Sequence, residues 1–163
     1  MRENGFLEAS QKLDSGQISI EEFHEMLSQL SGETIDAISL EFESVNEVDH
    51  SVVDIIKKLR HHYKIALLSN SPSKLIRTIL EECDLEKHFD EIVISSEVGL
   101  VKPSREIFEL IIDRLGLVSS EILFIDDSKH HIEGAEKVGI NSLRFVSAAK
   151  LELDLQESGI RLS

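Results

Sequence analysis

The apolar positions of this chain change their spacing near residue 48. Before that point they recur every three or four residues, which is typical of amphipathic helices. Ser19 and Glu22 form a capping box that predicts the start of a helix, and the apolar spacing of residues 35–42 predicts another short one. We therefore expect residues 1–48 to form part of a small helical cap and residues 49–163 to form an α/β core.

Beyond the cap, helical segments alternate with short apolar runs. The runs are residues 64–69, 91–95, 122–126 and 142–146. Strands rich in Ile, Leu and Val that alternate with helices predict a parallel sheet with helices on both faces. We therefore expect a three-layer, Rossmann-like α/β core. The weak apolar spacing of residues 150–163 fits a helix, a short strand or a frayed tail.

Charge and composition exclude several classes of partner. The chain has 17 basic and 31 acidic residues, a net charge of -14, and such a surface repels nucleic acids and anionic membranes. No apolar run reaches the length of a membrane-spanning helix, and the first residues lack the pattern of a signal peptide. The single cysteine, Cys83, cannot form an internal disulfide, which favours a reducing cytoplasm. It lies on the apolar side of a predicted helix, so we expect it to be buried.

Polar residues follow the predicted strands at three points. Ser69 and Asn70 come at the end of the first run, and the doublet Asp126 and Asp127 at the end of the third. Lys102 lies beyond the second run, directly before a proline that begins the next predicted helix. Ligands of parallel α/β sheets bind at the carboxyl ends of the strands. These residues are therefore the candidates for a functional site.

Each candidate has a functional and a purely structural interpretation. Two adjacent carboxylates beside a buried strand repel each other unless a cation such as Mg2+ compensates them, but Asp127 or Ser128 could simply cap the next helix. A lysine at a helix N-terminus is unfavourable unless it faces an anion, but Lys102 could also be solvated. Ser69 and Asn70 could bind a phosphoryl oxygen near a helix N-terminus, or form an ordinary turn in which Asn70 caps that helix.

Taken together in this order, these motifs resemble those of the haloacid dehalogenase (HAD) superfamily, in its phosphatase-like branch with a helical cap. Leu67–Asn70 resembles the second family motif and Gly99–Pro103 the third. Phe124–Ser128, followed by the small residues of Glu133–Ala135, resembles the fourth. Gly16–Phe23 also reads like the cap of that branch.

The resemblance implies a Mg2+-dependent hydrolase acting on a small phosphorylated metabolite. Ser69, Asn70 and Lys102 would bind the substrate, with Ser69 holding phosphoryl oxygens. Lys102 would also stabilise the nucleophile and the charge developing on the transferring group, and Asp126 and Asp127 would hold Mg2+. The histidine pair 130–131 is expected to be exposed to solvent.

The first family motif, a strand ending in D-x-D that carries the nucleophile, does not occur in this sequence. Asp14, for example, lies in a polar turn without a preceding strand. Three explanations stay open: a truncated chain, a sheet in which the neighbouring strands close up or another segment fills the place, and a non-catalytic descendant. We expect little or no phosphatase activity from the chain as given. The alternative function is a binding or regulatory module completed by a partner strand or by dimerisation.

Overall fold

The computed structural model describes residues 2–32 and 48–162. Its helices and strands, in chain order, are α1 (Arg2–Asp14), α2 (Ile20–Ser31), α3 (His50–Leu59), β1 (Ala66–Ser69), α4 (Ser73–Glu82), β2 (Glu91–Ile94), α5 (Ser95–Val98), α6 (Arg105–Leu115), β3 (Leu123–Asp126), α7 (Lys129–Glu136), β4 (Asn141–Arg144) and α8 (Ala148–Glu157). Short 3-10 turns occur at Glu86–His88 and Ser119–Glu121.

The strands form two parallel pairs. β1 pairs with β2, with Ala66 opposite Glu91, and β3 pairs with β4, with Leu123 opposite Asn141. Among the described residues no backbone ladder joins one pair to the other. The parallel strands and intervening helices confirm the predicted α/β class.

Helices cover both faces of the strand pairs. On one face, buried residues of α6 pack against Ala66 and Leu68 of β1 and Phe124 of β3. On the other face, α3 and α8 pack against Leu123 and Ile125 of β3. Alternate residues of β3 thus face opposite helix layers, as the period of a strand requires. The α6 layer contacts both pairs, whereas the layer of α3 and α8 contacts β3, β4 and Ile65, the residue directly before β1. The core is thus three layers deep at β3.

The N-terminal helices have a small apolar core of their own. Ala9, Leu13 and Phe23 are buried between α1 and α2. The capping box that begins α2 is present as the sequence predicts. The turn between the helices rests on the α/β core at Gly16, where an added Cβ would lie 2.5 Å from the Ser96 carbonyl oxygen. The boundary near residue 48 stays a prediction, because residues 33–47, including the helix predicted over 35–42, lie outside the described residues.

Several local predictions require correction. Cys83 is exposed, because α4 ends at Glu82 and the chain leaves the helical path there. The fourth strand begins and ends earlier than predicted, which leaves Val146 73% exposed. Of the possibilities for the tail, the structure shows a helix, and the Ser147 side chain caps it by accepting from Lys150 N. No helix in the described ranges is both long enough and apolar enough to cross a bilayer.

If the helical pair is a separate unit, Phe23→Ala should loosen it alone. Phe23 is 1% exposed, and its truncation should cost the pair about 3 kcal/mol in packing and cavity energy. Hydrogen exchange should accelerate in α1 and α2 and stay unchanged in the four strands. Phe6→Ala is the matched control, because Phe6 is 49% exposed. Equal acceleration throughout the chain would show a single cooperative unit instead.

Candidate active site

Lys102 is a buried cation that connects the ends of β1 and β3. Its Nζ donates to the Leu68 carbonyl oxygen at 2.9 Å and to Asp126 Oδ2 at 2.7 Å. The Lys102 and Asp126 side chains are only 7% and 8% exposed. The interpretation of Lys102 as a solvated lysine is therefore wrong. The Lys102 ammonium group instead bridges β1 and β3, which share no backbone ladder.

Asn70 holds the loop that carries Lys102. Its Nδ2 donates to the Lys102 carbonyl oxygen at 2.9 Å, and its Oδ1 accepts from the Lys102 backbone N at 2.9 Å. This reciprocal pair fixes the loop against the end of β1. The next residue, Ser71, is held by Ser95, whose Oγ accepts from Ser71 N at 3.1 Å. Asn70 is therefore not a simple helix cap, and Pro72 occupies the cap position of α4.

Close packing supports the same loop from the side of α7. A Cβ added to Gly134 would lie 2.6 Å from Pro103 Cβ and 3.0 Å from the ring of Phe108. The Phe108 ring stands edge-on to Phe124, and Lys102 Nζ lies 5.5 Å from the Phe124 ring centroid. The small residue in α7 thus allows α7, α6 and the Lys102 loop to meet. The Lys102–Pro103 peptide bond is cis.

Asp126 accepts several hydrogen bonds besides that from Lys102. Its Oδ1 accepts from Ser128 N at 2.9 Å and contacts His131 Nδ1 at 3.0 Å. Burial alone would raise the pKa of Asp126, but the Lys102 ammonium, the Ser128 N–H and His131 together lower that pKa below its usual value. An ionised carboxylate only accepts hydrogen bonds, so Nδ1 of His131 carries a proton.

The sequence did not predict the role of His131. It was expected to be exposed, yet its side chain is 22% exposed and its ring contacts Asp126, whereas the neighbouring His130 is exposed. His131 lies in the first turn of α7, so its side chain can reach back to the end of β3. In the sequence, the position of His131 shortly after the acid doublet was the feature that could have indicated this contact.

Asp127 and Ser69 lie at the same rim, but their side chains make fewer hydrogen bonds than that of Asp126. Asp127 is exposed, and its backbone carbonyl accepts from Arg144 Nε at 3.0 Å. Ser69 is half-buried at the end of β1, and within the described residues its hydroxyl has no hydrogen-bond partner. The residue at the cap position of α7, Ser128, makes no side-chain capping bond. The doublet is therefore not explained as a helix cap.

The acid doublet has the donor chemistry for Mg2+ but not a complete ligand set. A carboxylate offers about four lone-pair positions, and hydrogen bonds occupy three of those of Asp126. One position of Asp126 and the carboxylate of Asp127 therefore remain available to a cation. Mg2+ in proteins is often held by one or two carboxylates, with water and substrate phosphate completing its shell. Within the described ranges, no group of three or more His, Cys, Asp or Glu side chains is arranged to hold a metal.

Asp14 is a further acid near the site. Burial raises the pKa of Asp14 to about 6, and the nearby charge of Lys102 acts in the opposite direction. Asp14 ends α1, just before the turn at Gly16 that rests on Ser96. In the sequence, Asp14 is excluded as a nucleophile because no strand precedes it, and no local pattern indicates that its turn lies against the core.

Comparison with known proteins identifies the family. The family model for haloacid dehalogenase-like hydrolases matches residues 6–145. The chain therefore belongs to the haloacid dehalogenase-like hydrolases, which confirms the resemblance seen in its motifs.

Several relatives carry phosphatase names, and one of Burkholderia cepacia is named (S)-2-haloacid dehalogenase 4A. The chain is 29% identical over 143 residues to a D-ribitol-5-phosphate phosphatase of Bacteroides thetaiotaomicron, a match covering 82% of this chain and 69% of the relative. It is 35% identical over 80 residues to a phosphorylated carbohydrates phosphatase of Thermotoga maritima, covering 49% of this chain and 37% of the relative. A phosphoglycolate phosphatase of Salmonella typhimurium is 30% identical over 79 residues, covering 48% and 31%. The chain thus spans only about a third of these last two proteins.

Solved structures share the fold. A HAD family enzyme of Bacteroides thetaiotaomicron, in complex with magnesium and inorganic phosphate, superposes with a TM-score of 0.68 at 25% identity, covering 82% of this chain and 72% of that one. A HAD-like hydrolase of Porphyromonas gingivalis has a TM-score of 0.72 at 26% identity, covering 89% and 77%. The chain is thus a phosphatase-like hydrolase of the HAD family.

Replacing Lys102 should leave Asp126 as an unpaired buried charge. We expect Lys102→Met to lower the free energy of unfolding at neutral pH by about 3 kcal/mol, because removing one partner of a buried ion pair strands the other. The double variant Lys102→Met/Asp126→Asn should regain much of this loss. Lys74→Met is the control, since Lys74 is 81% exposed and should change stability by less than about 0.5 kcal/mol. Urea unfolding curves measure all of them, and equal effects at both lysines would contradict the buried pair.

Asp14→Asn should alter how stability depends on pH. The folded-state pKa of Asp14, about 6, lies above its ordinary value of 3.8, so the folded state holds this proton more tightly than the unfolded state. The stability from the protonated group is fully present below the ordinary value and is lost as the pH rises through the folded-state value. Relative to wild type, Asp14→Asn should therefore gain about 1 kcal/mol at neutral pH, allowing for solvent screening.

The gain should shrink as the pH falls from 6 and vanish below pH 3.8, where both the folded and the unfolded state of wild type hold the proton. Unfolding curves recorded across this pH range test the effect. Asp113→Asn, in an exposed part of α6, is the control and should show no such trend. A pH-independent difference between wild type and Asp14→Asn would contradict the raised pKa.

Proposed function

We propose that this chain binds the phosphate group of a small phosphorylated metabolite, together with Mg2+, at the carboxyl ends of β1 and β3. The observation that carries this proposal is the buried Lys102 ammonium, held between Leu68 and Asp126 at that rim. The net charge of -14 repels phosphate esters, so a local positive centre is required. Lys102 supplies one within the described residues.

The residues around Lys102 suit electrostatic stabilisation of phosphoryl transfer. In that chemistry, the protein mainly positions groups and stabilises the charge on the phosphoryl oxygens. The Ser69 hydroxyl has no other partner in the described chain and is available to donate to a phosphoryl oxygen, near the N-terminus of α4. Asn70 contributes by positioning the Lys102 loop, because both ends of its amide are engaged there.

Asp126 and Asp127 would hold Mg2+. When bound, the cation supplies positive charge beside the phosphoryl oxygens and relieves the repulsion within the doublet. The donor chemistry of the two residues supports this assignment, as does the crystallisation of a Bacteroides relative with magnesium and inorganic phosphate. The phosphatase names of the relatives support a sugar phosphate or a phosphorylated small acid as the substrate class.

Catalytic turnover by these 163 residues alone is proposed to be slow. No D-x-D follows an apolar run anywhere in the sequence, so the site lacks an evident carboxylate nucleophile. The groups that bind and polarise a phosphate are present, whereas the group that would attack it is not identified. Binding of phosphate should therefore be easier to detect than hydrolysis.

A binding or regulatory module completed by a partner strand or by dimerisation is the second candidate. The observation that favours it is an apolar cavity of about 610 Å³, lined by residues of both β1 and β3. In that case, the Lys102 site would remain as a ligand site without turnover.

Two measurements on the purified chain test the proposal. Calorimetry should detect weak binding of inorganic phosphate that depends on Mg2+, and Asp127→Asn should lose it while Asp113→Asn, a matched exposed aspartate, keeps it. Hydrolysis of p-nitrophenyl phosphate with Mg2+ should stay near the rate without protein. Absence of phosphate binding would overturn the site assignment. Rapid hydrolysis that Asp127→Asn abolishes would overturn the proposed low turnover.

A further inference from the structure

The carboxyl group of Asp14 is half-buried at the end of α1 but has no hydrogen-bond or ion-pair partner within the described ranges. Burial raises its pKa to about 6, and the charge of Lys102 acts in the opposite direction. Buried polar groups are normally hydrogen-bonded, because burial without a partner costs free energy. A ligand that donates hydrogen bonds would supply the partner that Asp14 lacks.

Contacts between backbone and side chains fix the turn after α1 to the rim of the core. An added Cβ at Gly16 would lie 2.5 Å from the Ser96 carbonyl oxygen, so the turn lies directly on Ser96. Ser96 Oγ in turn donates to the Ser71 carbonyl oxygen at 2.9 Å. Ser71 follows Asn70, whose amide holds the Lys102 backbone. The carboxyl group that ends α1 is therefore held beside the rim where Lys102 lies.

Within the described residues, the Lys102 ammonium has one donor left for a ligand. Its Nζ already donates to the Leu68 carbonyl oxygen at 2.9 Å and to Asp126 at 2.7 Å, and an ammonium has three donors. Asp14 interacts with Lys102 through its charge, but these two described side chains form no ion pair. A phosphoryl group that accepts from the remaining donor would thus leave the rest of the ester within reach of the Asp14 carboxyl group.

Three basic side chains of α1 and α4, near this turn, already have acidic partners. The pairs are Lys12 with Glu8, Lys74 with Glu21 and Arg77 with Glu97. Arg144 is engaged as well, because its Nε donates to the Asp127 carbonyl oxygen at 3.0 Å. A second anionic group on an ester bound at Lys102 would therefore meet the Asp14 carboxylate, whereas these cations already have partners.

The charge of Asp14 distinguishes hydroxyl groups from anions. Its pKa of about 6 leaves the carboxyl group ionised in slightly alkaline solution, where it accepts hydrogen bonds and repels other anions. Hydroxyl groups of a ligand would donate to this carboxylate, and a hydrogen bond to an ionised acceptor is about twice as strong as a neutral one. A carboxylate or a second phosphate in the same place would be repelled, and partial burial reduces the screening of that repulsion.

We propose that Asp14 determines substrate specificity at the Lys102 site by favouring phosphate esters that carry neutral hydroxyl groups over esters that carry a second anionic group. Of the two substrate classes considered above, a sugar phosphate is selected and a phosphorylated small acid is disfavoured. This inference rests on the proposed phosphate site, because Asp14 acts on the part of the ester that phosphate binding holds in place. Asp14 selects among ligands, and other groups bind the phosphate itself.

Other roles for Asp14 match the structure less well. A third Mg2+ ligand would have to lie with Asp126 and Asp127, but within the described residues no three such acids are arranged to hold a metal. A purely structural acid would accept a hydrogen bond or form an ion pair, and in the described part of the chain Asp14 does neither. The remaining role is contact with a ligand at the rim.

Calorimetry on the intact chain with Mg2+ tests this selection with three small phosphate esters. Glycerol 1-phosphate carries neutral hydroxyl groups, 2-phosphoglycolate carries a carboxylate, and ethyl phosphate carries neither. In slightly alkaline solution, we expect glycerol 1-phosphate to bind at least roughly fivefold more tightly than ethyl phosphate, because its hydroxyl groups donate to Asp14. We expect 2-phosphoglycolate to bind at least roughly fivefold more weakly than ethyl phosphate, because its carboxylate is repelled.

Two variants separate the charge of Asp14 from its hydrogen bonds. Asp14→Asn keeps an acceptor but removes the charge, so 2-phosphoglycolate should bind within about twofold of ethyl phosphate. Asp14→Ala removes both, so the preference for glycerol 1-phosphate should also disappear. Glu25→Gln, at an exposed position in α2, removes the same charge from the helical pair and should leave the preferences as in wild type. Asp14→Asn is expected to fold, because it removes the cost of a half-buried charge.

Inorganic phosphate separates failure of this inference from failure of the proposed site. If the wild-type chain binds inorganic phosphate but binds all three esters equally, or if Asp14→Ala keeps the wild-type preferences, selection by Asp14 is overturned and the phosphate site stands. If neither inorganic phosphate nor any ester binds, the site at Lys102 is overturned, and the selection with it. Equal changes in Glu25→Gln and Asp14→Asn would show a general effect of net charge and would also overturn the role of Asp14.

Discussion

The buried ion pair between Lys102 and Asp126 connects the two halves of the core at the functional rim. Its 2.7 Å contact lies where β1 and β3 share no backbone ladder. Burying two charges costs several kcal/mol of desolvation for each ion, and this is offset only when further hydrogen bonds satisfy both groups. Leu68 O provides that bond for the ammonium, and Ser128 N and His131 provide them for the carboxylate. The features that organise the candidate site therefore also hold the strand ends together.

The helical pair brings a carboxyl group near the charge of the same lysine, Lys102. Asp14 ends α1 within range of the Lys102 charge, and the following turn is in close contact with the core at Ser96. A side chain on the helical pair thus adds a titratable carboxyl beside the rim where a phosphate is proposed to bind. Charge around Lys102 is balanced by Asp126 from the core and modulated by Asp14 from the helical pair, so the two parts of the chain are electrostatically coupled.

The candidate site and the cavity share residues at the carboxyl end of β3. Asp126 and Asp127 line the cavity, and the Lys102 bridge joins strands on both of its sides.

Local sequence patterns were enough to predict the α/β class, the approximate strand positions and the strand-end residues, because hydrophobic period and adjacent polar residues are local properties. For Lys102 the sequence left two possibilities open, an anionic partner or a solvated side chain, since a helix N-terminus is unfavourable for a cation. The folded chain was needed to show that Lys102 pairs with Asp126, that Asn70 holds the Lys102 backbone, and that His131 and Asp14 lie at the site. These contacts link residues from separate elements, which local sequence patterns do not predict. The exposure of Cys83 was not predicted either, because it depends on where α4 ends rather than on apolar spacing.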